Sequence, residues 1–208
     1  MIKKITRKSM LIRPSGRSTD FISPSFGYGC LYNCSYCYMK RHKDKGLDVA
    51  TNTGDILTAI NNHAFFTPVD KPNQTHAEYT TYDISCNEDF ALHAKHHQWE
   101  KTFEFFRDHP IAMGSFATKY VNPNLLSFDS QGKIRIRFSL MPQHKSDLHE
   151  PSTSKIIDRI RAINDFIEAG YDVHINFSPV IVTDTWIEDY TQLFEGVDAI
   201  VDRKYKHK

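Results

Sequence analysis

Apolar residues recur along this chain at two spacings, one typical of strands and one typical of helices, and segments with the two spacings alternate. Over residues 133–141 every even position is apolar and the odd positions up to 139 are polar, which predicts a strand. Over residues 152–169 isoleucines recur at helical spacing, which predicts an amphipathic helix. Ser152 or Thr153 is its predicted N-cap, and Gly170 its predicted C-cap.

The same two patterns assign the other elements. Further strands are predicted at 21–24, 79–86, 111–118 and 173–181, with the start of a sixth strand at 199–201. Further helices are predicted at 53–65, with Thr53 as the N-cap, and at 96–108, 122–128 and 184–194.

Strands that alternate with helices form βαβ units and a parallel sheet. Five or six units are too few for a closed eight-stranded barrel, so we predict an α/β fold, a partial (β/α) barrel of about five to six parallel strands. Residues 1–18 are predicted to form a basic N-terminal arm, and residues 19–208 the barrel domain. Chemistry in such barrels gathers at the carboxyl ends of the strands, where we expect Cys86, Lys119 and Ser139.

Composition narrows the class of protein. A formal net charge of +1 gives no overall field that would drive the chain onto nucleic acid or a membrane. No apolar run approaches the length of a membrane span, and the first residues lack the apolar core of a signal peptide. We therefore expect a cytoplasmic protein with reduced cysteines and no membrane partner.

Three cysteines lie close together in the sequence. Cys30, Cys34 and Cys37 form a C-x3-C-x2-C motif. Structural zinc sites and electron-transfer iron–sulfur clusters normally take four protein ligands. Three thiolates leave one iron of a [4Fe–4S] cluster open, and a small molecule can bind there and be activated.

Zinc is the alternative metal for this motif. His42 follows Cys37 by five residues and would complete a Cys3His site. Zinc ligands, however, usually come as two pairs that are a dozen or more residues apart. Three cysteines within eight residues favour the cluster.

The spacing resembles the cluster loop of the radical S-adenosylmethionine (SAM) enzymes, and Tyr36 and Tyr38, on either side of the last cysteine, strengthen the match. The resemblance implies that the open iron binds SAM. It implies that an electron from the cluster splits SAM into methionine and a 5′-deoxyadenosyl radical. An electron donor such as flavodoxin or ferredoxin is then also required.

Further blocks resemble the spore photoproduct lyases, a family of radical SAM enzymes. They are the cysteine loop at 25–39, the segment at 85–86, and the blocks at 116–120, 135–139, 149–154, 168–171 and 178–181. The blocks occur in the family's order, and the similarity covers about residues 20–195. The resemblance implies a nucleotide or a DNA photolesion as the substrate.

The resemblance also implies which residues bind SAM. Lys119 and Ser139 inherit this role, with Tyr36 and Ser85 as further contacts. The Gly-Gly-Glu stretch of many radical SAM enzymes is absent, so Ser85, Asn87 or backbone carbonyl groups would bind the amino group of SAM. Taken alone, Lys119 reads as a solvated lysine after a strand.

Cys86 corresponds in this resemblance to the cysteine that donates a hydrogen atom to the substrate radical. Tyr38 is the tyrosine through which the resulting thiyl radical would be reduced. The alternative for Cys86 is a small buried residue at the end of a strand, since free cysteine is among the most buried residue types.

Two departures from the family leave the function open. The repair enzymes have a longer N-terminal region and a C-terminal part that helps hold the DNA lesion, so this chain is either a compact relative or a truncated form.

Three functions are compatible with the sequence. They are a radical SAM enzyme acting on a nucleotide or DNA lesion, one acting on a peptide or small metabolite, and a non-catalytic iron–sulfur binding module.

The chain is also rich in histidine. His93 and His97 would share a helix face, the geometry of a metal-binding pair, but a solvated helix start is the more common explanation. His144, His149 and Glu150 are expected in a loop after the fourth strand, lining the cleft.

Overall fold

The computed structural model describes residues 1–16, 18–42, 46–67 and 70–206. Its strands are β1 (Ile2–Ile5), β2 (Arg13–Pro14), β3 (Phe21–Ile22), β4 (Gly27–Cys30), β5 (Gly46–Ala50), β6 (Thr80–Asp83), β7 (Ala112–Thr118), β8 (Ile134–Leu140) and β9 (Asp172–Phe177). Its α-helices are α1 (Met39–His42), α2 (Thr53–Phe66), α3 (Phe90–His93), α4 (Trp99–Asp108), α5 (Gln143–His149), α6 (Ile156–Glu168) and α7 (Trp186–Ile200).

The strands form two sheets. The larger one has six strands in the order β2-β3-β6-β7-β8-β9, and all of them except β2 run parallel. The smaller one has the order β1-β5-β4. The predicted partial barrel of parallel strands is confirmed, with five parallel strands in the larger sheet.

The apolar face of the larger sheet packs against the helices. Phe138 of β8 meets Phe166 of α6 edge to face, with ring centroids 5.5 Å apart. Phe116 of β7 stacks on Phe103 of α4 at 6.0 Å. Such aromatic pairs contribute stability beyond the apolar area that they bury.

The other face of β8 is polar but not solvated. All seven residues of β8 are buried, although alternation with polar residues normally indicates a solvent-facing side. The Nε atom of Arg135 lies 2.6 Å from an Asp172 carboxylate oxygen, and an Nη atom of Arg137 lies 2.9 Å from Asp83. The polar positions therefore form ion pairs with the adjacent strand β9 and with β6, which lies two strands away in the sheet.

The two predicted N-caps are wrong, and the helix predicted from 96 begins at Trp99. Thr53 is inside α2, and the preceding residue, Asn52, is the cap position; its amide binds both the N–H and the carbonyl oxygen of Arg7. Helix α6 begins at Ile156, later than Ser152 or Thr153, because the Gln143 side chain accepts the Ile156 N–H at 2.8 Å.

The structure also shows where three of the predicted elements end. The C-cap of α6 is Ala169 and not the predicted Gly170, which follows it at φ +92°, the left-handed conformation common just after a helix. Strand β9 ends at Phe177, before the predicted 181, because Pro179 has no N–H to donate to a neighbouring strand. The predicted strand at 199–201 is wrong, since α7 continues to Ile200 and its apolar side packs on α6.

No helix among the described residues is long and apolar enough to cross a membrane. The division into an arm at 1–18 and a domain at 19–208 stays a prediction. Within the first 18 residues, β1 pairs with β5 and β2 pairs with β3.

Candidate active site

The three clustered cysteines lie on the segment that joins β4 to α1. Cys30 is the last residue of β4 and pairs with Gly46 of β5. The backbone N–H of Cys37 donates to the carbonyl oxygen of Cys34 at 3.1 Å. Cys34 is buried, while Cys30 and Cys37 are half-buried, and all three are free thiols.

The surroundings of these thiols fit an iron–sulfur cluster. Burial raises the pKa of Cys30 to about 12 and that of Cys34 to about 11, so neither ionises alone near neutral pH. The nearby backbone N–H groups of Tyr32 and Asp89 oppose this rise in the pKa of Cys30, and the charge of Lys119 opposes the rise in the pKa of Cys34. Bonded iron supplies the positive charge that such buried sulfurs need, and N–H donors are a usual feature around cluster sulfurs.

A single metal ion, such as zinc, fits the three cysteines less well than an iron–sulfur cluster does. Among the residues that the structure describes, no three His, Cys, Asp or Glu side chains converge on a point that could hold one ion. A cluster does not need such a point, because each cysteine binds a different iron. The ring of His42, the fourth ligand in the zinc alternative, packs edge-on against Tyr38 with centroids 5.9 Å apart.

The middle of the cysteine loop is fastened to the end of α5. The Ser35 N–H donates to the His149 carbonyl oxygen at 2.8 Å, and the Ser35 hydroxyl pairs with the His149 ring at 2.8 Å. The Tyr36 hydroxyl donates to a carboxylate oxygen of Glu150. Burial and this hydrogen bond raise the pKa of Tyr36, so its hydroxyl keeps the proton that it donates.

A buried ion pair extends this connection to β8. An Nη atom of Arg159 lies 3.0 Å from Glu150, and both side chains are fully buried. Arg159 also donates to the carbonyl oxygen of Ser139 at 2.7 Å and to that of Ser154 at 2.9 Å. Arg159 and Glu150 therefore link Tyr36 of the cysteine loop to the carboxyl end of β8.

Lys119 directly follows β7 and faces the cysteine loop. The Asp89 carboxylate accepts the Lys119 N–H at 2.8 Å and the Thr118 hydroxyl at 2.7 Å. The Nζ atom of Lys119 lies 5.8 Å from the centre of the Tyr36 ring. Asp89 thus fixes the backbone that directs an ammonium group toward the cysteines.

The two predicted serine contacts differ in their surroundings. Ser139 is buried near the carboxyl end of β8, opposite Asn176 of β9. The Ser85 hydroxyl is already engaged, since it lies 3.3 Å from an Asp83 carboxylate oxygen and accepts the Ala117 N–H at 3.2 Å. Ser139 is therefore the better placed of the two for a ligand at the strand ends.

Cys86 and Tyr38 lie in contact. Cys86 is half-buried, three residues after β6, and not in the packed core. The Tyr38 hydroxyl donates to the Cys86 carbonyl oxygen at 2.5 Å and to the Asn87 amide oxygen at 3.0 Å. The Asn87 amide in turn donates to the Ser25 hydroxyl at 2.5 Å. Burial and the neighbouring Cys86 side chain raise the pKa of Tyr38, so the hydroxyl stays protonated.

Several expectations about the remaining polar residues were wrong. His93 and His97 are buried and both bind Glu88, so they are not a solvated helix start. His144 and His149 lie on helix α5, not in a loop, and Glu150 directly follows it. The roles of Asp89 and Arg159 could not be read from the sequence, because their partners are 30 and 20 residues away in Lys119 and Ser139.

Comparisons with known proteins agree with this geometry. The family model described as spore photoproduct lyase matches residues 4–208. The spore photoproduct lyase of Bacillus subtilis (strain 168) is 28% identical over 207 residues, which cover 97% of this chain and 57% of the relative. The chain thus spans less than two thirds of that relative's length.

Solved structures give the same picture of the fold. Spore photoproduct lyase complexed with dinucleoside spore photoproduct is similar at a TM-score of 0.84 and 24% identity, over 97% of this chain and 58% of that one. A double variant with bound AdoMet and dinucleoside spore photoproduct has the same TM-score at 22% identity, again over 97% of this chain and 58% of that one. These structures share the partial barrel found here.

Proposed function

Since the chain belongs to the spore photoproduct lyase family, we propose that it is a radical SAM enzyme that acts on a nucleotide or DNA photolesion of the spore photoproduct type. A [4Fe–4S] cluster at Cys30, Cys34 and Cys37 would supply the electron that cleaves SAM to a 5′-deoxyadenosyl radical. The observation that carries the proposal is the contact between the cysteine loop and Cys86, made through Tyr38.

The ends of the strands supply the groups that bind SAM in this proposal. The Lys119 ammonium pairs with the SAM carboxylate as a compact cation. Ser139, one strand further along the sheet, donates a hydrogen bond from its hydroxyl. Tyr36 forms one wall beside Lys119 and is held there by Glu150. The Ser85 hydroxyl is engaged by Asp83 and Ala117, and its N–H by Asp83. Ser85 therefore contributes through the second lone pair of its carbonyl oxygen, which already accepts the Glu88 N–H.

Cys86 and Tyr38 carry the hydrogen-atom chemistry. The Cys86 S–H bond breaks, its hydrogen atom passes to the substrate carbon radical, and a thiyl radical remains on sulfur. The Tyr38 O–H then returns a hydrogen atom to that sulfur, which moves the radical to the tyrosine. A thiol in this role need not ionise, and a protonated tyrosine is the form that can donate.

The partners and location follow from the same chemistry. The proposed electron donor is a reduced low-potential protein such as flavodoxin or ferredoxin, and the proposed location is the cytoplasm, where such donors and reduced thiols occur together. The spore photoproduct is the lesion named for the relatives.

Anaerobic iron–sulfur reconstitution followed by a SAM-cleavage assay tests the proposal. We expect about four irons per chain, release of 5′-deoxyadenosine, and conversion of dinucleoside spore photoproduct but not of undamaged dinucleotide. Cys30→Ala, Cys34→Ala and Cys37→Ala should each lose the cluster. One zinc and no iron per chain would contradict it. SAM cleavage with an unchanged lesion would reassign the substrate to a peptide or small metabolite.

A further inference from the structure

A buried group of three side chains lies directly behind the first cysteine and has no part in the proposed chemistry. One Glu88 carboxylate oxygen, Oε2, lies 3.0 Å from Nδ1 of His93 and 2.8 Å from Nε2 of His97. The three side chains are between 0% and 2% exposed, so water does not compete for these bonds. The ring of His97 also stacks on Phe90, with centroids 5.0 Å apart and planes 2° from parallel.

The contacts of His93 define its tautomer. Its Nε2 atom accepts the backbone N–H of Leu31 at 3.3 Å, so Nε2 carries no proton. Its Nδ1 atom must then carry the proton that binds Glu88. The ring of His93 thus connects the Glu88 carboxylate to the backbone of Leu31 through one hydrogen bond at each nitrogen.

Leu31 is the residue after Cys30, and the backbone on the other side is held by the same segment. The Gly29 N–H donates to the Asn87 carbonyl oxygen at 3.0 Å. The residues on both sides of Cys30 are therefore hydrogen-bonded to the segment 86–93, which also carries Cys86.

Gly27 of β4 makes room for this arrangement. A Cβ atom built on Gly27 would lie 2.4 Å from the carboxyl atoms of Glu88. Only glycine at position 27 leaves room for the Glu88 carboxylate to pack against β4. These residues pack as a structural support, since they do not converge on a point that could hold a metal ion.

We propose that His93, oriented by Glu88, is a positioning residue that fixes the backbone after Cys30 and so sets the first cluster ligand relative to Cys86. The consequence for a cluster rests on the proposed function, whereas the hydrogen bond to Leu31 does not. The role is exerted through Leu31 and not by contact with substrate or cluster.

Amide hydrogen exchange in the apo protein gives the first test, with residue-level resolution at Leu31. Loss of one ordinary hydrogen bond in His93→Leu should speed exchange of this amide roughly two- to tenfold. His93→Gln should stay close to the parent protein, because a carboxamide offers one acceptor and one donor at a similar separation. His96→Gln is the matched control, because His96 lies three residues after His93 and is outside the Glu88 group.

The parent protein itself provides a second test that does not depend on any variant folding. Long-range ¹H–¹⁵N NMR spectra of the apo protein should show His93 as the Nδ1–H tautomer with an unprotonated Nε2. An Nε2–H tautomer or an imidazolium would overturn the proposal, as would unchanged Leu31 exchange in a folded His93→Leu protein.

Reconstituted protein gives the third test. The electron paramagnetic resonance spectrum of the reduced cluster should change in His93→Leu, for instance to a mixture of signals, and should be restored in His93→Gln. A spectrum that is identical in all three proteins would overturn the positioning role. If the parent protein did not cleave SAM, the proposed function would fail, while the exchange and tautomer measurements would still decide the role of His93.

Discussion

The hydroxyl of Tyr38, on the cysteine loop, donates a hydrogen bond to the backbone carbonyl oxygen of Cys86, three residues after strand β6, although 48 residues separate them in sequence. The two residues that the family resemblance assigns to hydrogen-atom transfer are therefore neighbours. A tyrosine O–H beside a thiol is a short path for returning a hydrogen atom.

We expect Cys86→Ala and Tyr38→Phe to separate the two halves of the reaction. Both variants keep the three cluster cysteines, so the broad visible absorption and SAM cleavage should persist. Conversion of dinucleoside spore photoproduct should fall in both, since the transfer of hydrogen atoms is interrupted. The measurement is product analysis by mass spectrometry under anaerobic conditions. Loss of the cluster in Cys86→Ala would show instead that Cys86 is a ligand.

Lys119→Ala should weaken SAM binding. Loss of a charge-assisted bond to a carboxylate costs roughly 1.5–3 kcal/mol, or about ten- to a hundredfold in the dissociation constant. The measurement is SAM titration of the reconstituted protein by calorimetry. Lys155→Ala is the control, because Lys155 is 60% exposed and pairs with Asp147 on the surface. Equal SAM affinity in the two variants would remove Lys119 from the binding site.

Arg159→Met should destabilise the apo protein strongly. It leaves Glu150 fully buried without its ion-pair partner, which costs about 3–5 kcal/mol in the free energy of unfolding. Adding Glu150→Gln should recover part of this loss, since the buried charge is then removed. Urea denaturation measures both. Lys155→Met breaks an exposed pair instead and should cost no more than about 1 kcal/mol.

Acid should destabilise the fold partly through His109. Burial, with the charge of Lys133 adding, lowers the pKa of His109, and its Nδ1 accepts the N–H groups of Ile111 and Ala112 at 3.0 and 2.9 Å. The unfolded chain takes up the proton as the pH falls through about 6.5 and the folded chain does not, so stability decreases below that pH.

The measurement for His109 is the free energy of unfolding at pH 7.5 and pH 5.5. The parent protein should lose up to about 1.4 kcal/mol per pH unit more than His109→Asn, whose amide oxygen can accept the same N–H groups without titrating. Equal losses in the two proteins would show that His109 is protonated in the folded state as easily as in the unfolded one.

The sequence predicted the elements with strong periodicity and missed those whose partners are remote. The alternation in β8 and the isoleucines of α6 were sufficient, because the apolar side chains that pack in the core recur at strand or helix spacing. The small sheet was missed, since the glycine-rich β4 and the short β1 carry little periodic signal. The sequence showed that one face of β8 is polar. It could not predict the ion pairs on that face, because they require β6 and β9 to lie close to β8 in space.

The residues of the candidate site also divide into those that their spacing in the sequence predicts and those whose partners are remote. The spacing of Cys30, Cys34 and Cys37 identified the loop, because metal ligands that come from one loop are close together in the sequence. The support by Arg159 and His93 could not be predicted, since these residues act over 20 and 62 residues of sequence, on Ser139 and Leu31 respectively.

The close approach of Gly27 and Glu88 has a consequence for how this family can change over time. Neither position can be altered freely alone: a side chain at 27 would collide with the carboxylate, and a larger residue at 88 would press on β4. Lineages that acquire a side chain at 27 should therefore carry a smaller residue at 88, and with it a different partner for the histidine at 93. Substitutions at the three positions should appear together in related sequences.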